Sequence, residues 1–292
     1  MEANLIGQIL KGKDVAEALG NQLNSRAIKL KKHGIEPGLG IIRVGQRPDD
    51  ISYEKGITKR ALYTGVKVYT REFPEDATEQ EVLGAINLMN NDENIHGIMI
   101  FRPLPSHIDD NAIRKSLNPE KDIDGITDMS MAGIYAGSDI GFSPCTPSAV
   151  IEILKHYNIE ISGKKAVVLG RSLVIGKPVS MMLLNENATV SMCHTKTENL
   201  MEVCQNADIL VTAVGSARFI TKEYTNAAQT IIDVGINVDE NGKLCGDVDF
   251  DDVLDKCRAI TPVPGGVGAV TSCILVKHVI MSAEAKLLAQ NY

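Results

Sequence analysis

The sequence lacks the features that mark a membrane-spanning, secreted or zinc-binding protein. It contains no run of about 18 uninterrupted apolar residues, so no membrane span is predicted. Its first four residues offer neither the basic nor the apolar region of a secretory signal. Its six cysteines include no Cys-x-x-Cys pair and its six histidines are dispersed, so we expect no metal site. Cysteines in this arrangement indicate reduced, mostly buried thiols in a cytoplasmic protein.

An excess of positive charge is also missing. The formal net charge is −7 and both signs are spread along the chain, which argues against nucleic acid as a partner. One small basic cluster, Lys29, Lys31 and Lys32, is interpreted as the solvated face of a helix.

What the chain does contain is a regular alternation of short apolar runs and amphipathic stretches. This alternation predicts right-handed βαβ units, parallel sheets and an α/β fold. The length of 292 residues fits two domains, and the prolines of segment 144–147 (Pro-Cys-Thr-Pro) mark their boundary. The predicted strands are 38–44, 66–73, 96–100, 165–169, 188–193, 208–214, 230–234 and 258–261; the predicted helices are 51–64, 78–90, 148–156, 176–184, 198–205 and 269–290.

Segment 165–178 is typical of a nucleotide site, because it reads as a strand, a turn and the start of a helix. Glycine at positions 170 and 176 lets the backbone approach a phosphate, and a helix N-terminus offers N–H groups and a positive dipole. The spacing is Gly-x5-Gly and not G-x-G-x-x-G, so a plain strand-to-helix turn remains an alternative interpretation.

The end of the next strand favours NADP over NAD. A fold that prefers NAD usually carries Asp or Glu there to bind the ribose 2′-hydroxyl, and segment 193–196 reads Cys-His-Thr-Lys. The guanidinium of Arg171 suits a 2′-phosphate. The alternative, in which Arg171 and Lys196 merely face solvent, stays open.

Two further loops follow predicted strands. Segment 261–268 (Thr-Pro-Val-Pro-Gly-Gly-Val-Gly) has three glycines and two prolines, which makes a rigid turn that a ligand can approach closely. Segment 233–237 (Asp-Val-Gly-Ile-Asn) ends another strand. Open α/β sheets bind ligands at the carboxyl ends of their strands, so both loops are candidates for one site.

Together these segments resemble the bifunctional methylenetetrahydrofolate dehydrogenase/methenyltetrahydrofolate cyclohydrolase family. They occur in the family's order and span nearly the whole chain. The matching segments are Tyr53 on its helix, 103–105 (Pro-Leu-Pro), 121–125 (Lys-Asp-Ile-Asp-Gly), 144–147, 170–172, 233–237, 246–248 and 261–268.

The resemblance implies two domains that flank a cleft. An N-terminal α/β folate-binding catalytic domain would cover residues 1–145, with the last helix, about 272–292, packing back on it. A C-terminal Rossmann-type NAD(P)-binding domain would cover residues 146–271. The resemblance also implies a cytoplasmic homodimer that serves one-carbon metabolism and purine biosynthesis, without a membrane partner.

The resemblance also implies roles for individual residues. Tyr53 and Asp124 would be catalytic, with Tyr53 stacking on the folate and Asp124 hydrogen-bonding the pterin. The other substrate-binding residues would be Ile100, Phe101, Pro264, Gly265, Gly266 and Gly268. The cofactor-binding residues would be Gly170, Arg171, Ser172, Ile175, Gly176, Thr195, Gly215, Ile236 and Thr271.

Two positions depart from the family pattern in a way that bears on chemistry. Ile57 stands where the family has its catalytic lysine, and Phe101 stands where it has the glutamine thought to tune that lysine. Lys55 and Lys59 lie about 200° from Ile57 on the helical wheel. Arg102 should point away from Phe101, because side chains alternate along a strand. A lesser departure is Ala269, where the family usually has proline.

The two half-reactions of the family need different groups. Hydride transfer from the folate methylene bridge needs proximity and orientation, without an obligatory protein acid or base. Hydrolysis of the methenyl group needs proton transfer, which isoleucine and phenylalanine cannot provide. We therefore expect NADP-dependent oxidation of 5,10-methylenetetrahydrofolate to 5,10-methenyltetrahydrofolate, with cyclohydrolase activity lost or very weak and a separate cyclohydrolase needed in the cell.

Three alternatives remain at this point. The enzyme is fully bifunctional and also makes 10-formyltetrahydrofolate, with Lys55, Lys59 or Arg102 reaching the site. It is a folate- or nucleotide-binding pseudoenzyme. Or it is an NADP oxidoreductase for another substrate, in a pocket that Phe101 reshapes.

Overall fold

The computed structural model describes residues 7–290. The expectation for the first four residues therefore lies outside the described residues, as do positions 291–292 of the predicted last helix. No helix in the described range is both long enough and apolar enough to cross a membrane. The chain forms two compact units: unit one contains residues 7–16 and Thr146–Thr271, and unit two contains Glu17–Cys145 and the chain from Ser272 onward.

The elements alternate along the chain as the pattern predicts. The strands are β1 (Gln8–Ile9), β2 (Gly38–Val44), β3 (Lys67–Phe73), β4 (Gly97–Ile100), β5 (Lys165–Leu169), β6 (Thr189–Cys193), β7 (Ile209–Thr212), β8 (Thr230–Asp233), β9 (Asn237–Val238), β10 (Leu244–Cys245) and β11 (Ala259–Ile260). The α-helices are α1 (Gly12–Lys32), α2 (Pro48–Thr64), α3 (Glu79–Asn91), α4 (Asp110–Ser116), α5 (Asp128–Ala136), α6 (Cys145–His156), α7 (Gly176–Asn185), α8 (Leu200–Gln205), α9 (Phe250–Val253) and α10 (Gly268–Gln290).

Unit one is built on a six-stranded parallel sheet in the order β1-β11-β8-β7-β5-β6. The strand β5 lies between β6 and β7, so the chain reverses its direction across the sheet there. Folds of this type bind ligands at the carboxyl ends of the strands beside such a reversal. Residues 7–16, which the sequence analysis placed in the N-terminal domain, group with unit one because β1 pairs with β11.

Unit two is built on a three-stranded parallel sheet in the order β3-β2-β4. Every residue of the central strand β2 is buried, whereas most of the edge strand β3 is exposed. The helix α3 begins with a reciprocal capping box between Thr78 and Glu81 and packs its apolar face, including Val82 and Ile86, into the core. Candidate substrate residues lie on elements of this unit: Tyr53 on α2 and Ile100 at the end of β4.

The glycines of unit two give a direct test of this packing. A Cβ on Gly97, in β4, would lie 2.4 Å from Ile123 Cγ2 and 3.1 Å from Val279 Cγ2, whereas a Cβ on the exposed Gly84, in α3, would meet no atom within 4 Å. We expect Gly97→Ala to lower the free energy of unfolding by about 1–3 kcal/mol through overpacking. Gly84→Ala should raise it by about 1 kcal/mol, because alanine favours the helix.

Urea unfolding followed by circular dichroism measures both changes. Equal unfolding midpoints for the two variants would contradict the close packing of β4 on these two side chains.

Candidate active site

The helix α2 and the end of β4 bring together the two positions that depart from the family pattern. Tyr53 and Ile57 lie one turn apart on α2 and so share a face. Phe101 follows β4, and its N–H donates to Ile42 O at 3.0 Å. The rings of Tyr53 and Phe101 meet edge to face, with their centroids 6.0 Å apart and their planes at 75°. Ile57 is fully buried and Phe101 is 4% exposed, so both positions are apolar and desolvated.

The neighbouring cations lie elsewhere. Lys55 and Lys59 line an open groove of about 480 Å³ on the other side of α2, together with Arg43 and Glu72. The guanidinium of Arg102 instead forms a two-pronged ion pair with Asp110, in which both N–O distances are 2.6 Å. The expectation that Arg102 points away from Phe101 agrees with this pairing.

The three charged residues of segment 121–125, Lys121, Asp122 and Asp124, have different hydrogen-bond partners. Lys121 Nζ donates to two carbonyls at the end of α3, Met89 O at 2.9 Å and Asp92 O at 2.8 Å. The carboxylate of Asp122 is fully buried and holds the start of α5; it accepts from Ile126 N, Thr127 N and Ser130 Oγ. Lys121 and Asp122 thus fix the segment on both sides of Ile123, whereas the third charged residue, Asp124, takes no part in these bonds.

Asp124 has weak polar support within the protein. Its Oδ1 accepts from Cys145 N at 3.4 Å. Burial raises the pKa of Asp124 from 3.8 to about 6, and hydrogen bonds from Cys145 only partly oppose the rise. Burial, with smaller electrostatic contributions from Cys145 and Asp124, also raises the pKa of Tyr53 well above its usual range. These interactions place Tyr53, Asp124 and Cys145 close together, with a neutral phenol beside a carboxyl that ionises near neutrality.

The sequence analysis missed one buried side chain next to this cluster, His278. Its Nδ1 lies 2.8 Å from Ile123 O and 4.0 Å from Cys145 Sγ, and its ring packs on Phe142 with a centroid distance of 5.0 Å. Burial lowers the pKa of His278 to about 4, so the imidazole is neutral and donates to Ile123 O. It lies on α10, more than 150 residues from Ile123, and no local pattern marks it in the sequence.

The turn after β5 is shaped by glycine, as the nucleotide motif predicts. Gly170 has φ +118°, and a Cβ on Gly176 would lie 2.2 Å from Gly170 O, so neither position accommodates a side chain. The N–H groups at the start of α7 are already bonded within the turn: those of Ile175 and Gly176 reach Ser172 Oγ, and that of Lys177 reaches Ser172 O. The turn 171–174 is exposed, and the N–H groups of residues 175–177 are bonded to Ser172.

Most of the proposed cofactor residues gather at the carboxyl edge of the same sheet. Thr195 follows β6, Gly215 follows β7 and Ile236 follows β8, and all three are exposed. Arg171 is exposed on the neighbouring turn. Exposed loops at four strand ends, with a glycine cradle and a free guanidinium, fit a dinucleotide. Thr271 is the exception, because it is buried and its hydroxyl donates to Val267 O inside α10.

The glycine-rich loop between β11 and α10 belongs to unit one. Pro264, Gly265 and Gly268 are exposed, whereas Gly266 is buried. Gly265 adopts φ +102°, and its carbonyl accepts from Gly12 N at 2.8 Å. A Cβ on Gly266 would lie 2.5 Å from Pro262 O, so the turn requires glycine there. Across residues 7–290, no cluster of three or more His, Cys, Asp or Glu side chains is arranged to hold a metal ion.

The raised pKa of Asp124 predicts a pH-dependent gain in stability for Asp124→Asn. The folded-state pKa of about 6 lies above the ordinary 3.8, so burying the charge destabilises the fold fully above about pH 6 and not below about pH 4. Asparagine keeps the shape without the charge. We expect the variant to be more stable than the parent at about pH 7.5, with the difference shrinking as the pH falls through 6 towards 4.

Urea unfolding at a series of pH values measures this difference, with Asp139→Asn, an exposed position, as the control. A difference that does not change between neutral and acid pH would contradict the assigned ionisation.

Comparisons with known proteins identify the family and its two domains. Residues 10–124 match the family model for the tetrahydrofolate dehydrogenase/cyclohydrolase catalytic domain, and residues 144–287 match that for the tetrahydrofolate dehydrogenase/cyclohydrolase NAD(P)-binding domain. The bifunctional protein FolD of Clostridium kluyveri is 50% identical over 281 residues, which cover 96% of this chain and 99% of the relative. The bifunctional protein FolD of Clostridioides difficile is 49% identical and covers 95% of this chain and 97% of the relative.

Solved structures show the same fold. The bifunctional FolD of Campylobacter jejuni superposes with a TM-score of 0.93 at 38% identity, covering 96% of this chain and 99% of that one. The Trypanosoma brucei FolD, complexed with NADP cofactor and inhibitor, gives a TM-score of 0.90 at 32% identity, covering 96% and 98%. The α/β fold and the resemblance inferred from the ordered motifs are confirmed, and the chain belongs to the tetrahydrofolate dehydrogenase/cyclohydrolase family.

Proposed function

We propose that this protein oxidises 5,10-methylenetetrahydrofolate to 5,10-methenyltetrahydrofolate with NADP, and that its cyclohydrolase activity is lost or very weak. The observation that carries the second part is the buried apolar pair at the family's two proton-handling positions. Ile57 is fully buried, and Phe101 is buried with its ring against Tyr53.

The oxidation depends on groups that this chain retains. NADP, when bound, accepts the hydride. The chain itself has only to hold the folate and the nucleotide, because hydride transfer requires orientation and no obligatory protein acid or base. In the proposal Tyr53 stacks on the folate, and Asp124 accepts hydrogen bonds from pterin donors. Ile100 and the loop residues 264–268 border the substrate.

The hydrolysis depends on groups that this chain has replaced. General acid–base help is typically worth about 10²–10⁴-fold, and neither isoleucine nor phenylalanine transfers a proton. The ion pair of Arg102 with Asp110, and the position of Lys55 and Lys59 in a separate groove, support the loss, because they leave no obvious substitute for the lysine.

The choice of NADP over NAD is also part of the proposal. Arg171 is exposed on the turn after β5, and residues 193–196 at the end of β6 contain no carboxylate that would repel a 2′-phosphate. The Trypanosoma brucei relative was solved with NADP. The cofactor residues of the proposal lie after β5, β6, β7 and β8 and at the start of α10: Gly170, Arg171, Ser172, Ile175, Gly176, Thr195, Gly215, Ile236 and Thr271.

A fully bifunctional enzyme that also makes 10-formyltetrahydrofolate is the second candidate. The curated relatives at 49–50% identity are called bifunctional. The pKa of about 6 at Asp124 also supplies one group beside Tyr53 that exchanges a proton near neutral pH.

The proposal extends to the setting of the enzyme. All six cysteines are free and buried, which supports a reducing, cytoplasmic compartment. The edge strand β3 is exposed, with Tyr69 on its surface, and supports pairing in a homodimer. One-carbon metabolism and purine biosynthesis are the proposed context, and a separate cyclohydrolase would hydrolyse the product.

A paired assay on the pure protein tests the proposal. One arm follows NADP reduction by methylenetetrahydrofolate and is repeated with NAD. The other follows the decay of methenyltetrahydrofolate above its spontaneous rate. We expect NADP reduction without accelerated decay. Accelerated decay would favour the bifunctional candidate, binding without turnover would favour a pseudoenzyme, and turnover only with another substrate would favour a different oxidoreductase.

Restoring the two family residues should restore hydrolysis. We expect Ile57→Lys combined with Phe101→Gln to raise the rate of methenyltetrahydrofolate decay by about 10²-fold or more, because the pair supplies the missing proton transfer. The same assay measures each single variant, and Lys55→Ala in the parent is the matched control on the opposite face of α2. If Lys55→Ala abolishes a measurable hydrolysis in the parent, the interpretation of position 57 is wrong.

A further inference from the structure

Asp247 holds two cofactor-edge loops at once. Its carboxylate is fully buried and accepts four hydrogen bonds. Three come from consecutive backbone N–H groups after β7, namely Val214 at 2.7 Å, Gly215 at 3.3 Å and Ser216 at 3.0 Å. The fourth comes from Asn237 Nδ2, at the start of β9 and directly after the loop that follows β8, at 2.9 Å.

A second buried carboxylate, that of Asp233 at the end of β8, holds the backbone at Asp247, in the segment after β10. It accepts from Thr212 Oγ1, Gly235 N, Asp247 N and Val248 N, at distances from 2.9 to 3.1 Å. Asp233 thus fixes the backbone of Asp247, and Asp247 fixes the loops. We call Asp233 and Asp247 the carboxylate pair.

Two glycines show how closely the chain is packed around this pair. A Cβ on Gly235 would lie 2.3 Å from Asp247 Cγ, and a Cβ on Gly246 would lie 1.8 Å from Asp233 Oδ2. The hydrogen bonds described for the pair come from amides and a hydroxyl, without a cation. Two buried carboxylates held only by neutral donors are costly, because burial disfavours charge. Packing of the sheet alone does not explain why two carboxylates are buried here.

The position of the held loops supplies that reason. In a fold of this kind, the first βα turn meets the pyrophosphate and the end of the next strand meets the adenosine ribose. Here those are the turn after β5 and the loop after β6. The other half of the dinucleotide then lies across the reversal, at the ends of β7 and β8. The loops that Asp247 joins are at those two ends, and they expose Gly215 and Ile236.

We propose that Asp247 is a positioning residue for the nicotinamide half of the cofactor site. By tying residues 214–216 to Asn237 it sets the spacing of the two loops between which that half is held. The inference rests on the proposed function, because it requires the sheet edge to bind NADP.

The test compares the binding of two ligands to the Asp247→Asn variant by calorimetry. Asparagine keeps the shape but turns one acceptor into an NH₂ group that faces backbone N–H donors. The ligands are NADP and adenosine 2′,5′-bisphosphate, which lacks the nicotinamide half. We expect the affinity for NADP to fall about tenfold or more, the usual effect of unpairing buried charged hydrogen bonds, with no change for the bisphosphate. The kcat should fall as well.

The matched control is Asp208→Asn. Asp208 lies just before β7 at the opposite, amino end of the sheet, and its carboxylate accepts from Lys165 N at 2.8 Å. Both ligands should bind this control as they bind the parent. A role confined to stability would lower the fraction of folded protein and would leave the ratio of the two affinities unchanged.

Unchanged NADP binding in Asp247→Asn, or equal losses for both ligands, would overturn the inference. If that variant does not fold, Asn237→Ala removes only the side-chain donor and should weaken NADP about threefold while sparing the bisphosphate, in line with one lost hydrogen bond; equal effects again overturn it. A parent protein that binds neither ligand would instead refute the proposed function, and the inference with it.

Discussion

Buried carboxylates that bond backbone N–H groups are the interaction on which the ligand-binding edges of this protein depend. The N–H groups of a loop at the end of a strand have no partners in the hydrogen-bond ladder of the sheet. A buried N–H group without a partner lowers the stability of the fold. Asp122 meets this need in unit two, and Asp233 and Asp247 meet it in unit one. The loops that Asp247 bonds expose Gly215 and Ile236, and Asp124, two residues after Asp122, has a single long hydrogen bond from Cys145 N.

The number of hydrogen bonds that each carboxylate accepts distinguishes Asp124 from Asp122. Asp122 is saturated with donors, whereas Asp124 has one long contact with Cys145 N and a pKa raised to about 6 by burial. A carboxyl in this state lacks partners, and a pterin with several N–H donors is a fitting one. The fold thus retains a desolvation cost at Asp124 that a hydrogen-bond donor at this position would lower.

Local sequence pattern was enough to locate most of the strands and several helices. The elements and residues that it missed depend on contacts between distant parts of the chain. The strands β2 and β5 match their predicted bounds because each is a short apolar run closed by glycine or a polar residue. The helix α5 was not predicted, and of α1 only the basic stretch 29–32 was interpreted as helical; α5 has almost no amphipathic character, and its start depends on Asp122. The roles of His278 and Asp247 depend on partners 10 to 155 residues away, which a single sequence does not reveal.

The two departures at positions 57 and 101 are best understood as one change. Ile57 is fully buried, and Phe101 is buried with its ring against Tyr53. A lysine or a glutamine buried at either position needs a hydrogen-bond partner, and neither isoleucine nor phenylalanine offers one. The two apolar residues need no such partner, so they are compatible with two buried positions. The edge-to-face contact between Phe101 and Tyr53 also holds the Tyr53 ring in place, so the apolar residue at position 101 supports the aromatic side chain on α2.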